Sequence, residues 1–329
     1  MPTIAIVLPV YNEGEIIERT HARLRAVVDA LPYPCTIYYV DDGSTDDTPR
    51  RLAALAETDA RVEVITLSRN FGHQAALTAG LDLADGDIVI TLDADGQHPP
   101  ELIPQMIDLV RQGYDVVQTQ RMDEYPGFSF KRWTSAAFYA LINRISGTHI
   151  APGTADFRAL SRRAVDALRK MPEYHRFLRG MVAWMGFPTV ILPYHPAERV
   201  GGKSKYSLRK MVKLAMDAIF SFSLVPLYIG VSLGGLMLLL ALAEMVYVLS
   251  FWVTGRQDSL APGWSSLMFV ILIVGGMLMI VLGFIGVYVG YIFQEVKRRP
   301  VYLIRERKRV SPRASGTAQA QGEEEVGKR

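Results

Sequence analysis

Apolar runs of strand length alternate with stretches of helical spacing from Thr3 to Thr119. Thr3–Leu8, Thr36–Val40, Val62–Leu67, Asp87–Leu92 and Val116–Thr119 have the pattern of strands buried on both faces of a parallel sheet. Between the first two, Ile16, Ile17, Leu24 and Val27 or Val28 recur at helical spacing and predict a helix over Glu15–Leu31. Further helices are expected over Asp47–Glu57, His73–Leu83 and Pro100–Arg111, the first of them capped by Ser44 or Thr45. Strands alternating with helices in this way imply a parallel sheet covered on both faces. Ligands of such sheets bind beyond the carboxyl ends of the strands, where the strand order switches. Pro9–Glu13, Asp41–Ser44 and Asp93–Gln97 all lie at such ends, so three polar turns converge on one rim.

The pattern changes after Tyr125. Phe128, Phe130, Trp133, Phe138, Leu141, Ile142 and Ile145 alternate with Lys131, Arg132 and Arg144, an amphipathic helix suited to a bilayer interface or to packing on the sheet. Residues 207–223 repeat the device, with Leu208, Met211, Val212, Ala215, Ile219 and Phe222 set against Arg209, Lys210 and Lys213. Val225–Val253 and Leu267–Phe293 are each longer than the roughly 20 apolar residues a helix needs to cross a bilayer. Bases crowd Lys203–Lys213 before the first span and Lys297–Arg309 after the second, whereas the connection between the spans holds just Arg256. By the positive-inside rule both outer flanks are cytoplasmic, the hairpin tip is outside and the catalytic domain faces the cytoplasm. Glu244 is an acid within the first span, a position that usually faces protein or water. Glycines such as Gly230, Gly234, Gly275 and Gly283 give the spans small faces for close packing, consistent with a homo-oligomer. The expected organisation is a catalytic domain over 1–206, an interfacial helix over 207–223, a two-helix hairpin over 224–296, and a basic cytoplasmic tail over 297–329 whose end is disordered.

Composition narrows the partners. The chain has 329 residues and a net charge of only +3, but acids gather near Asp41 and Asp93 while bases gather from Arg199 onward. That asymmetry points to phosphate ligands or a membrane surface, not to a nucleic-acid groove. One cysteine, Cys35, excludes an intrachain disulfide and a cysteine-based zinc cage. The amino terminus lacks a basic region before its apolar run and reads as a first strand, not a signal peptide.

Asp93 and Asp95 are two residues apart, so on extended backbone both carboxylates project to one side. Two such anions call for a cation between them, and Mg2+ or Mn2+ fits oxygen ligands, completing its shell with water and substrate phosphates. The implied ligand is a diphosphate. Arg199, Lys203, Ser204 and Lys205, with two glycines among them, form a flexible basic loop able to fold over phosphates.

LPVYNEGE, VDDGSTDDT, LSRNFGHQAALTAGLDLADGD and LDADGQHPPE together resemble the donor-binding half of a family 2 glycosyltransferase, and more narrowly the polyprenyl-phosphate glycosyltransferases. The resemblance implies an α/β GT-A catalytic domain, Rossmann-like with a mostly parallel sheet, joined to interfacial amphipathic helices and a C-terminal two-helix transmembrane hairpin. It implies an inverting, metal-dependent enzyme that moves one sugar from a nucleotide sugar to polyprenyl phosphate. UDP-glucose is the first expectation and GDP-mannose the runner-up. Asp93 and Asp95, with Gln97, would hold the metal; Pro9, Tyr11, Glu13 and Asp42 would shape the base and ribose pocket; the basic loop would close on the diphosphate. Arg121, Arg132 and Ser135 match positions that hold the acceptor phosphate, and Asp156, with Arg158 beside it, matches the residue next to the reactive sugar carbon. A phosphate monoester loses its second proton near pH 6, so Asp156 is expected to orient the acceptor or stabilise positive charge on the sugar, with base work secondary. A processive polysaccharide synthase is the rival, but such enzymes carry more spans and a Gln-x-x-Arg-Trp motif; Arg176 to Trp184 is a loose match at best.

Overall fold

The computed structural model describes residues 1–122, 153–174, 176–195, 225–255 and 263–309. Arg132, Ser135, Arg199, Lys203, Ser204 and Lys205 lie outside these, as do both expected interfacial helices and the side chain of Glu244. The chain divides into two units, Met1–Pro104 with the segment from Tyr302, and Gln105–Val301.

In the first unit β1 (Ile4–Val10), β2 (Cys35–Asp41), β3 (Val62–Leu67) and β4 (Ile88–Thr91) pair in parallel in the order β4-β1-β2-β3. Every residue of β1, β3 and β4 is buried, which explains the unbroken apolar runs. Helices α1 (Ile17–Asp29), α2 (Thr48–Thr58) and α3 (His73–Leu83) connect them. Asp47, not Ser44 or Thr45, stands at the start of α2, because the side chains of Ser44 and Thr48 and the backbone of Thr45 are engaged by the loop after β1. Helix α3 sits so close to β1 that a Cβ on Gly80 would lie 2.2 Å from Val7 Cγ1. Chain order runs β1 to β2 to β3 in one direction and then returns to β4 on the other side of β1. The strand order therefore switches beside β1, and the crevice at its carboxyl end is where a ligand is expected.

A fifth strand, β8 (Ile304–Arg309), pairs antiparallel with β3. Its sequence, IRERKR, carries no strand signal and was expected to belong to a basic tail. Backbone pairing and one ion pair supply what side-chain burial does not. Glu63 on β3 is fully buried, and Arg307 reaches in to it from β8. Tyr302 Oη also donates to Asp82 Oδ2 at 3.0 Å. Removing one partner of a buried ion pair leaves the other charge uncompensated. Arg307→Ala is expected to destabilise the protein by about 3 kcal/mol, the low end of the range for such pairs because Arg307 is half-exposed. Arg307→Ala combined with Glu63→Gln should recover most of that loss, as read from denaturant midpoints.

In the second unit β5 (Val116–Arg121) pairs antiparallel with β6 (Thr154–Ser161) and parallel with β7 (Thr189–Tyr194). Helix α4 (Ile103–Arg111) precedes β5 after a 3-10 turn at Pro100–Leu102. Helix α5 (Arg162–Arg169) follows β6 and is capped by Ser161, whose Oγ accepts from Ala164 N at 3.2 Å. A short helix, α6 (Leu178–Trp184), leads to β7. Two long helices complete the unit, α7 (Val225–Val253) and α8 (Trp264–Lys297). Both are long and apolar enough to cross a membrane, with spans of 22 and 25 residues at mean hydropathy 2.0 and 2.3. They pack on each other where Gly230 meets Val281, and their outward surface is apolar: Leu239 is 65 % and Met279 72 % exposed. Lys297 ends α8 with its ammonium 4.0 Å from the centre of the Phe293 ring.

Candidate functional site

The rim of the first unit is three loops stitched by side-chain hydrogen bonds. After β1, Asn12 adopts a left-handed conformation at φ 54° and donates its N–H to Ser44 Oγ at 3.0 Å, while Thr45 N donates to Asn12 Oδ1 at 2.9 Å. Glu13 N donates to Thr48 Oγ1 at 2.9 Å. After β2, Gly43 turns at φ 67°, and a Cβ there would lie 2.5 Å from the Arg69 carbonyl carbon, so only glycine fits. The Asp42 carboxylate accepts from Phe71 N at 2.7 Å and Gly72 N at 2.9 Å. Burial raises the Asp42 pKa, partly offset by those two amides. Asp42 thus fastens the loop that leads into α3, a task its sequence position did not reveal. Pro9 is buried within β1 and Tyr11, just beyond it, is 37 % exposed.

Beyond β4 the chain enters the acidic turn. Asp93 and Asp95 are half-exposed and Ala94 between them is buried, but the chain already turns at Ala94 and Asp95, where the sequence pattern predicts extended backbone. Asp95 Oδ1 accepts from Gln97 N at 3.0 Å across Gly96, which turns at φ 76°. Asp93 stands between two histidines that carried no sequence signal of their own. His73 Nε2 lies 2.8 Å from Asp93 Oδ1, and Asp93 N donates to His98 Nδ1 at 2.9 Å. Neutral His98 therefore carries its proton on Nε2, which is 3.8 Å from Asp93 Oδ2. His73 is the first residue of α3, so the Asp42 clamp on the preceding loop also sets the place from which His73 reaches Asp93.

Among the described residues no three His, Cys, Asp or Glu side chains form a metal cage. The turn itself offers two carboxylates, half-exposed and on one stretch of backbone. That donor set suits a hard divalent ion which draws its remaining ligands from water and a diphosphate. Gln97, half-exposed in the same turn, is near enough in sequence to join it.

The second unit holds Asp156 on β6. Gln118 Nε2 donates to Ala155 O at 2.7 Å and Thr119 Oγ1 to Phe157 O at 2.6 Å, so β5 side chains fix the backbone on both sides of Asp156. Arg158 Nη2 donates to Asp156 Oδ1 at 2.6 Å. The pair is buried, with side chains 2 % and 5 % exposed. From α6, Arg179 donates Nε to Asp156 Oδ1 at 3.1 Å and Nη2 to Oδ2 at 2.9 Å. Both carboxylate oxygens thus accept from guanidinium groups. Arg121 is exposed at the end of β5, where its N–H donates to Gly153 O at 3.0 Å.

Comparison with known proteins adds an independent line. Residues 5–169 match the family described as Glycosyl transferase family 2. An uncharacterized glycosyltransferase of Synechocystis is 40% identical over 301 residues, 92% of this chain and 94% of that protein. A prophage-derived bactoprenol glucosyl transferase of Shigella flexneri is 38% identical over 312 residues, 94% of this chain and 99% of that protein. Among solved structures, mannosyl-3-phosphoglycerate synthase from Rubrobacter xylanophilus aligns with TM-score 0.46 at 20% identity, covering 66% of this chain and 71% of that one.

Proposed function

The chain belongs to glycosyltransferase family 2, and from that premise we propose that it transfers one sugar, glucose from UDP-glucose, to polyprenyl phosphate at the cytoplasmic face of the membrane. The observation that carries this reading is that the likeness to a bactoprenol glucosyl transferase covers 94% of the chain, long enough to take in both membrane-length helices. A soluble acceptor would give no reason for a catalytic sheet to travel with two helices whose exposed surface is apolar. The bases around Lys297 at the end of α8 support a cytoplasmic placement for that end. Residues 1–206 act as the catalytic domain, 207–223 as an interfacial helix and 224–296 as the membrane hairpin, and the glycine faces of the hairpin suit a homo-oligomer.

Asp93 and Asp95, with Gln97, would hold Mg2+ or Mn2+ in this reading, and the ion, when bound, would supply Lewis-acid stabilisation of the departing diphosphate. Pro9, Tyr11, Glu13 and Asp42 border the crevice beside β1 and shape the nucleoside site. Arg199, Lys203, Ser204 and Lys205 cover the diphosphate. Arg121, Arg132, Ser135 and Arg158 serve the acceptor phosphate, and Asp156 stands at the sugar carbon. A phosphate oxygen of the acceptor attacks the anomeric carbon as the bond from that carbon to the diphosphate oxygen breaks, and the electron pair leaves with the nucleoside diphosphate. In-line displacement of this kind inverts the anomeric centre.

Membranes carrying the protein, incubated with undecaprenyl phosphate and radiolabelled UDP-glucose, should place label in a lipid that yields one glucose on mild acid hydrolysis. Label entering lipid only from GDP-mannose would overturn the donor. Label entering a polymer would overturn single transfer in favour of a processive synthase.

A further inference from the structure

The acidic turn after β4 is held from outside as well as from within. Thr20 and Arg23 lie three residues apart on α1 and so share one face of that helix. Thr20 Oγ1 donates to Ala94 O at 3.0 Å, across 74 residues of sequence. Arg23 Nη1 reaches Gly96 O at 3.5 Å. Its guanidinium is aimed by a fork, with Nε donating to Glu101 Oε1 and Nη2 to Glu101 Oε2, each at 2.7 Å. Two side chains of one helix thus hold two backbone carbonyls of the turn.

Those carbonyls bracket Asp95. The Ala94 carbonyl belongs to the peptide group that enters Asp95, so Thr20 fixes the backbone from which the carboxylate projects. The Gly96 carbonyl belongs to the same peptide group as Gln97 N–H, the donor to Asp95 Oδ1 at 3.0 Å. A carbonyl that accepts from a cation polarises its own peptide, and the N–H at the other end becomes the stronger donor. Arg23 therefore acts on the Asp95 carboxylate through a single peptide group. The turn gains from this help, because Gly96, at φ 76°, has no side chain to restrict it and glycine loses the most conformational freedom on ordering. Stability alone gives little reason for the arrangement. The Arg23 and Glu101 side chains are 39 % and 53 % exposed, and an ion pair that open to water adds little to a fold.

We propose that Thr20 and Arg23 are positioning residues that aim the Asp95 carboxylate at a divalent cation before the cation arrives. This rests on the reading of Asp93 and Asp95 as carboxylate ligands of Mg2+ or Mn2+. A ligand already held in place takes up the ion without paying to order its own loop, and the groups that orient it share in the metal affinity.

The test titrates Mn2+ into the full-length protein in detergent at saturating UDP and reads free Mn2+ from its electron paramagnetic resonance signal. Thr20→Val keeps the shape of the side chain and loses the donor, and its Mn2+ Kd should rise about tenfold, whereas Thr20→Ser restores the hydroxyl and should stay within about twofold of wild type. Arg23→Gln, whose contact with the turn is longer, should raise the Mn2+ Kd about threefold. The affinity for UDP without metal should be that of wild type in all three variants. A Mn2+ Kd unchanged in both Thr20→Val and Arg23→Gln, or a metal-free UDP Kd that rises in step with it, overturns the assignment. If Thr20→Val does not fold, as judged by thermal unfolding, Arg23→Gln against wild type carries the same comparison. A wild type that takes up no Mn2+ with either UDP or GDP overturns the cation reading itself, and the clamp with it.

Discussion

Asp95→Ala is expected to lower sugar transfer by about a thousandfold or more, because it removes one of two carboxylates on which a bound cation would depend. The geometry gives Asp95 two tasks. Its Oδ1 accepts from Gln97 N and so holds the shape of its own turn, and in the proposed reading its charge would complement a cation. Asp95→Asn separates them, since an amide oxygen still accepts that hydrogen bond but carries no charge. The asparagine variant should unfold at the same temperature as wild type and still lose most of its activity. Chelation by EDTA should reproduce the loss in wild type, with Mn2+ or Mg2+ restoring the rate there and not in Asp95→Ala. Full activity in Asp95→Ala, or in wild type after exhaustive chelation, would remove the metal from the mechanism. Asp93 is a less clean probe, since its carboxylate holds His73 at the start of α3 and its loss disturbs that helix as well.

How much of this was legible beforehand depends on where the information lay. Strands β1 to β4 bury nearly every side chain and announced themselves as apolar runs; α3 begins and ends where its pattern predicts. β6 did not, because its sequence TADFRALS buries Asp156 and Arg158 among apolar neighbours and so breaks both strand patterns. β8 has no buried residue at all; it exists because β3 offers an edge and Glu63 needs a counter-ion. The acidic turn was legible because its two carboxylates lie two residues apart in sequence. His73, 20 residues from Asp93, and Arg179, 23 from Asp156, contribute through tertiary contacts that no local spacing records. Asp42 shows the opposite limit: its place on the rim was legible, but the loop it fastens was not.

Asp156→Asn is expected to lower kcat by about a hundredfold at every pH from about 6 to about 9, with little change in the pH dependence of the remaining rate. A general base and a fixed anion make different demands here. A base must take a proton from the acceptor, and the acceptor has one to give only near or below the second phosphate pKa of about 6. If base catalysis were the main role, the deficit of the asparagine variant would vanish as pH rose well above that value. The observed contacts favour the anion, since Arg158 and Arg179 fill both carboxylate oxygens with three N–H donors, and protonating the group would forfeit them. Asparagine keeps the size and one acceptor oxygen but removes the negative charge that Arg158 and Arg179 both meet, and Arg158 is buried. A stability loss of about 3 kcal/mol therefore accompanies the change, and UDP binding must be measured alongside to show that the lost rate is not lost fold. The product of the residual activity should carry the inverted anomeric configuration, because an electrostatic role for Asp156 leaves the direction of attack untouched. Retention in that product would instead require a covalent sugar intermediate, and with it a nucleophile where this geometry holds a carboxylate already engaged by two arginines.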